Sequence, residues 1–167
     1  MTFLPSEHKE PATKSNYAMP MDEGTIKFRV MSSAVVGYIT WGENAEGQRR
    51  PMRYHVGQEP PFGPDGKDPK YFWAFTIWNY NEERLQIMEL TQKNIRASLE
   101  ELLKNEVWGN PTGYDIVLTR KGTKLDDTRY TVTPNPHTPV PETAINSLKD
   151  NPIAIEKLFT SEDPFLK

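Results

Sequence analysis

A mainly β domain with one helix near its middle is what this 167-residue chain predicts. Three observations carry that expectation. Apolar residues alternate with polar ones in several short runs, an apolar stripe of helical period occurs once, between residues 91 and 107, and clusters of Gly, Pro and Asn separate the runs. The length suits one domain with short appendages.

Residues 1–24 are polar, proline-containing and aperiodic, which predicts a flexible arm. Thr25 to Met31 alternates, turning Ile26, Phe28 and Val30 inward and Lys27 and Arg29 outward. After Ser32 and Ser33 a second strand is expected from Ala34 to Trp41, with Gly37 marking a bulge. Gly42 to Lys70 is rich in Gly, Pro and charge and reads as a long loop with one short strand at Met52 to Val56. A connection of that length inside a compact domain is usually functional or disordered.

The densest feature follows. Tyr71, Phe72, Trp73, Phe75, Trp78 and Tyr80 place six of the chain's eighteen aromatic residues within ten positions. On a strand, Tyr71, Trp73, Phe75 and Ile77 share one face, and Phe72, Ala74, Thr76, Trp78 and Tyr80 the other. A single core covers one face only, so the second should meet either a ligand with flat π-surfaces or another layer of protein. Trp73 and Phe75 are expected mainly in the core, and Trp78 and Tyr80 at the ligand.

A polar link from Asn81 to Arg84 leads to a short strand, Leu85 to Glu89, closing a hairpin. Thr91 is placed to cap a helix reaching about Val107, with Ile95, Leu99, Leu102 and Leu103 on one apolar stripe. Asn110, Pro111 and Gly113 end it. Tyr114 to Lys121 and Thr128 to Thr133 then read as two strands joined by a turn at Gly122, and Pro134, Pro136, Pro139 and Pro141 argue for an unpaired leash. Short helical pieces are expected at Glu142 to Lys149 and Pro152 to Phe159. Five antiparallel strands broken by one helix after the third is the layout of a small OB-type Greek-key barrel. The predicted division is a flexible arm at 1–24, an OB-fold-like barrel at 25–133, and a Pro-rich leash with short helices and an acidic tail at 134–167.

Composition narrows the function. No apolar run approaches the length of a membrane span, residues 1–14 lack the apolar stretch of a secretory signal, and zero cysteine fits a reducing cytoplasm. The formal charge is -3, yet residues 27–133 hold 15 Lys and Arg against 14 Asp and Glu, so the acidity lies in the flanks. That permits a polyanionic partner. The cations Lys27, Arg29, Arg49, Arg50, Arg53, Lys67, Lys70, Arg120, Lys121, Lys124 and Arg129 fall on outward strand positions or in two loops that border the barrel's binding face. With Tyr38, Trp41, Tyr54, Trp78 and Tyr80 as platforms, they form the combination that single-stranded DNA requires: mobile cations for phosphates and flat partners for bases. For each aromatic, burial in the core is the competing reading.

Taken together, Glu23-Gly24 before Ile26-Lys27-Phe28-Arg29-Val30, the Tyr38 to Trp41 segment, the aromatic strand, Leu90-Thr91-Gln92-Lys93, Gly113-Tyr114-Asp115-Ile116, Arg120-Lys121-Gly122 and Thr128-Arg129-Tyr130-Thr131-Val132 resemble the OB-fold single-stranded DNA-binding proteins of tailed bacteriophages. The resemblance implies a non-enzymatic protein that coats transient single strands during phage replication and recombination in the host cytoplasm, able to associate with itself along DNA. Relatives with a zinc module hold the metal with cysteine and histidine, and this chain has no cysteine. It therefore implies no metal and no cofactor. Glu162, Asp163, Pro164 and Phe165 resemble the acidic tails by which bacterial single-stranded DNA-binding proteins recruit replication enzymes. There phenylalanine is last; here Leu166 and Lys167 follow, and a frayed acidic tail is the other reading.

An enzyme would need a constellation that the chain does not offer. Asp115, Asp126 and Asp127 lie near Lys121 and Lys124, as in a metal-dependent nuclease, but Asp126-Asp127 reads more simply as a turn. His8, His55 and His137 fall in poorly periodic segments, and there is no glycine-rich phosphate loop. The non-enzymatic alternative to DNA binding is a protein-interaction or virion structural module that uses an exposed aromatic face.

Overall fold

A computed structural model describes residues 3, 15–18, 23–43, 45–58, 68–122, 124 and 126–165. Most of the N-terminal arm lies outside that set, as do Lys67, Leu166 and Lys167. The chain is mainly β, an open mixed sheet of eight strands carrying few helices. In chain order the elements are β1 (Tyr17–Ala18), β2 (Gly24–Val30), β3 (Val35–Glu43), β4 (Arg49–His55), β5 (Lys70–Asn79), β6 (Arg84–Leu90), α1 (Lys93–Lys104), β7 (Tyr114–Lys121), β8 (Arg129–His137) and α2 (Glu142–Asp150), with 3₁₀ turns at Pro111–Gly113 and Ile155–Thr160.

The strands lie in the order β1, β6, β5, β2, β7, β8, and β3 joins β5 while also holding β4. All pairings between these strands are antiparallel except the short parallel contact of β1 with β6. β2 and β3 act as one interrupted strand along β5. Phe28 to Val30 pair with Asn79 to Ile77, the Met31 amide donates to the Thr76 carbonyl at 2.8 Å, and pairing resumes at Val35 opposite Ala74. Ser32, Ser33 and Ala34 therefore face Phe75 alone, and the Ser32 hydroxyl accepts the Thr76 amide at 2.9 Å, keeping that donor satisfied across the break.

Two cores result. On one side of the sheet Phe28, Val30, Phe75, Ile77, Met88, Leu90, Ile116 and Leu118 pack with Ile95 and Leu99 of α1. On the other, Ile39, Phe72, Ala74 and Ile87 pack with Leu158, Ile153, Ile155, Phe159 and Phe165 from the C-terminal segment. The second layer of protein, one of the two alternatives for the surplus aromatic face, is supplied by the chain itself. Each of the fully buried large side chains, such as Phe72 or Ile87, contributes about 1.5–3 kcal/mol.

Several expectations change. The helix is shorter than 91–107, and Gln92 rather than Thr91 precedes it, without a side-chain cap. Leu103 leaves the buried stripe and is exposed. β8 runs through Pro134 and Pro136, tolerated because β8 is the edge strand and proline's missing N–H can face away from the ladder. Gly37 sits in regular pairing on both sides rather than at a bulge. A Cβ there would stand 2.3 Å from the Tyr54 carbonyl oxygen and 2.8 Å from the Phe159 ring, which is why glycine is needed. The short helical pieces near 142–149 and 152–159 are present as α2 and a 3₁₀ turn. No pairing between β6 and β8 closes a barrel among the described residues.

Candidate functional site

The residues singled out for nucleic-acid binding separate into groups. The first surrounds Asp115, where β2, β5 and β7 lie side by side with Arg29 opposite both Trp78 and Asp115. Arg29 is completely buried. Its Nε donates to Asp115 Oδ1 at 2.7 Å, and its two terminal nitrogens donate to the Thr112 carbonyl at 3.2 Å and the Thr138 carbonyl at 2.8 Å. The Tyr80 hydroxyl donates to the same Asp115 oxygen at 2.7 Å, and Lys27 Nζ lies 3.9 Å from the other oxygen and 4.8 Å from the Tyr80 ring centre. Burial, then the bond to Asp115, push the Tyr80 phenol well above its ordinary value.

These contacts correct the sequence reading of that face. Arg29 does not point to solvent, Trp78 is only 5% exposed, and one face of Tyr80 carries Lys27. The alternation was right, but the supposed solvent side is covered. The Thr138 carbonyl caps Arg29, and the C-terminal segment continues over the sheet to meet β6, β5 and β4. Asp115, weighed as a nuclease carboxylate, is committed to a buried arginine.

The second group lies at the β7–β8 turn. Lys121 pairs with Arg129, the Arg120 guanidinium sits 5.9 Å from the Tyr130 ring centre, and Lys124 is exposed. Asp127 Oδ1 accepts the Lys124 amide at 2.7 Å, and Gly122 adopts φ +89 where a Cβ would meet the Asp127 carbonyl oxygen at 2.3 Å. Arg129 donates to the Thr128 carbonyl at 2.9 Å. Asp126 and Asp127 thus belong to a turn, and no cluster of His, Asp and Glu suited to a metal ion occurs among the described residues.

A third group occupies the β3–β4 ribbon. Trp41 is 41% exposed with Arg49 5.0 Å from its ring centre, and Arg50 donates to Gln48 at 2.9 Å. Arg53 is tied down by Glu89 at 2.7 Å, a largely buried pair, and so cannot close over a ligand without breaking it. Lys70 is exposed at the start of β5. Because Gly24 pairs with Arg120 and Glu43 with Arg49, the turn cations and the ribbon cations lie at opposite ends of the β2–β3 line.

A larger accessible aromatic surface lies on the other side of this ribbon from Trp41. Tyr38 stands opposite Tyr54 on β4 and Tyr71 on β5, and Val36 stands opposite Trp73. The Tyr38 and Tyr71 ring centres are 5.6 Å apart, tilted by 60°, and the Arg96 guanidinium of α1 lies 5.1 Å from the Tyr71 ring centre. Arg96 is steadied by bonds to the Tyr71 and Leu90 carbonyls at 3.2 and 3.4 Å. Tyr38, Tyr54, Tyr71 and Trp73 are all half-buried and Val36 is 38% exposed. They stay open because β5 is ten residues long, and the core under α1 takes its later residues, Phe75 and Ile77.

Tyr38 and Tyr54 were foreseen at the site. Tyr71, Trp73 and Arg96 were not, although the alternation of β5 had put Tyr71 and Trp73 together. The signal that would have redirected the reading was the apolar set Ile153, Ile155, Leu158 and Phe159, which needs a sheet face to cover. The acidic tail is docked as well. The Pro164 carbonyl accepts the Ala154 amide at 2.9 Å, Pro164 is buried, and the Phe165 ring meets Tyr17 edge-on at 6.3 Å. Comparisons with protein-family models, with curated proteins and with solved structures found no match to this chain. Among the described residues, no helix is long and apolar enough to cross a membrane.

Proposed function

We propose that this protein binds single-stranded DNA without sequence selectivity, on the β3–β4–β5 face, and so protects or organises transient single strands in replication or recombination. The observation that carries the reading is the run of Tyr38, Tyr54, Tyr71 and Trp73 on one accessible sheet face, with Arg96 against Tyr71. Rings of this kind stack on any base, each stacked base contributing about 1–3 kcal/mol, and a duplex would withhold its bases from them. Arg50, which strand alternation puts on the same side of β4 as Tyr54, supplies a cation for the phosphates, whereas Arg49 and Lys70 fall on the opposite side.

Topology supports the OB-type reading of the fold. In such a barrel the first strand pairs with the second and the fourth, and the helix separates the third from the fourth. If β2–β3 is taken as the first strand, β5, β6, β7 and β8 follow as second to fifth, with α1 between third and fourth. β4 is then an insertion in the loop between first and second strands, one of the two loops that such proteins use for nucleic acid. Recruitment of other proteins by Glu162 to Phe165 would require this docked segment to be released.

The competing reading is a protein-interaction module, favoured by the exposure of Val36, Met52 and Leu103 near the same face. Gel mobility of labelled oligo-dT separates the two. Tyr38→Ala with Tyr71→Ala is expected to weaken binding at least tenfold relative to wild type, two stacked rings being removed. Equal mobility shifts for the double variant and the wild type would move the DNA site off this face.

A further inference from the structure

The geometry points to a pocket that takes a single base turned out of the bound strand. The inference rests on the single-stranded DNA reading and adds a specific subsite to it. At the break between β2 and β3, the sheet and α1 diverge and leave a pocket of about 240 Å³. Val30, Trp73, Phe75, Leu99, Leu103 and Pro111 form its walls, and Ser33 and Asn110 stand at the rim. Trp73 belongs to both surfaces, lying beside Tyr71 along β5 and facing Val36 across the ladder. A strand laid over the tyrosines therefore passes the mouth of the pocket.

Size and chemistry select the occupant. An apolar cavity of about 150 Å³ admits a benzene ring, whereas drug-sized ligands occupy about 300–1,000 Å³. This pocket suits one heterocycle without its sugar or phosphate. Its walls are apolar with an indole among them, which suits a base's faces. Its rim suits a base's edge. The Asn110 carbonyl oxygen is already used by the Thr112 amide and hydroxyl, both at 3.0 Å, while among the described residues no hydrogen bond uses its amide nitrogen or the Ser33 hydroxyl. The two extra residues that open the β2–β3 line are what make the space, since Ser32 holds the break shut on one side by bonding Thr76.

Two plugs from different elements test this: Ala34→Phe from the loop, and Leu103→Trp from an exposed helix position that is 52% accessible. Each is titrated with oligo-dT and with an abasic strand of equal length, and each is checked for unchanged melting. The expected result is at least a roughly fivefold loss of oligo-dT affinity, the least that one stacked base supplies, with abasic binding unaltered. If a plug melts early, the other carries the test. Wild-type-like oligo-dT affinity in the plugged proteins, or an equal loss on both strands, overturns the pocket and leaves DNA binding standing. Failure of the unaltered protein to bind either strand overturns both.

Discussion

Replacing Asp115 with alanine should come close to unfolding the protein. Arg29 is completely buried, and three acceptors hold its guanidinium: Asp115 and the Thr112 and Thr138 carbonyls. Asp115→Ala removes the only one that carries charge. Leaving a buried ion without its partner costs about 3–5 kcal/mol. The Tyr80 hydroxyl loses its acceptor in the same step, for about 0.5–1.5 kcal/mol more. A total of about 3.5–6.5 kcal/mol compares with the roughly 5–15 kcal/mol that holds most domains together. In a chain of this size the midpoint should fall by about 7–26 °C. Urea and thermal unfolding followed by circular dichroism would measure it, with Asp115→Asn intermediate and the Arg29→Met, Asp115→Leu pair less damaging than Asp115→Ala alone. A loss below about 1 kcal/mol for Asp115→Ala would refute the account of Arg29 as a buried structural charge.

Tyr80 also sets an alkaline limit. Its phenol titrates above the unfolded value of about 10, so the folded state holds the proton more tightly. The stability gained is fully present below that pH and is lost as pH rises further. Burial raises Tyr17 and Tyr114 in the same direction. Tyr80→Phe should flatten the decline in urea midpoint above about pH 10, and an unchanged slope would show that the Tyr80 hydroxyl does not set that limit. Gly37→Ala should cost about 1–3 kcal/mol, because the new methyl meets the Tyr54 carbonyl, which is backbone and cannot step aside. Unfolding midpoints equal to wild type would mean that the ribbon is looser than described.

Alternation and turn residues made most of the strands legible, since period-two patterns such as Ile26, Phe28 and Val30 are dictated by burial of one face. What alternation cannot report is which face the rest of the chain will cover. Lys27 and Arg29 share a side, yet Arg29 is buried and Lys27 is not, because Thr138 passes over one and not the other. Phe72 and Tyr71 show the same limit in reverse: the C-terminal layer closes the side of β5 that had looked free, while on the other side α1 covers Phe75 and Ile77 and leaves Tyr71 and Trp73 half-buried, with only Arg96 set against Tyr71. The first half of β8 was legible, but its continuation from Pro134 to His137 was hidden by its prolines, whose meaning depends on the strand being at an edge.

Single-strand binding on this face is decided by titration with oligo-dT, with tryptophan emission as the readout, repeated over a salt series and against duplex of the same length. Trp73 lies on the proposed face, whereas Trp78 is sealed in. The expected result is quenching by oligo-dT that weakens as salt rises, much weaker binding of duplex, and loss of most of the quench in Trp73→Phe. Emission and mobility unmoved by oligo-dT at low salt would contradict it and leave the aromatic face to a protein partner.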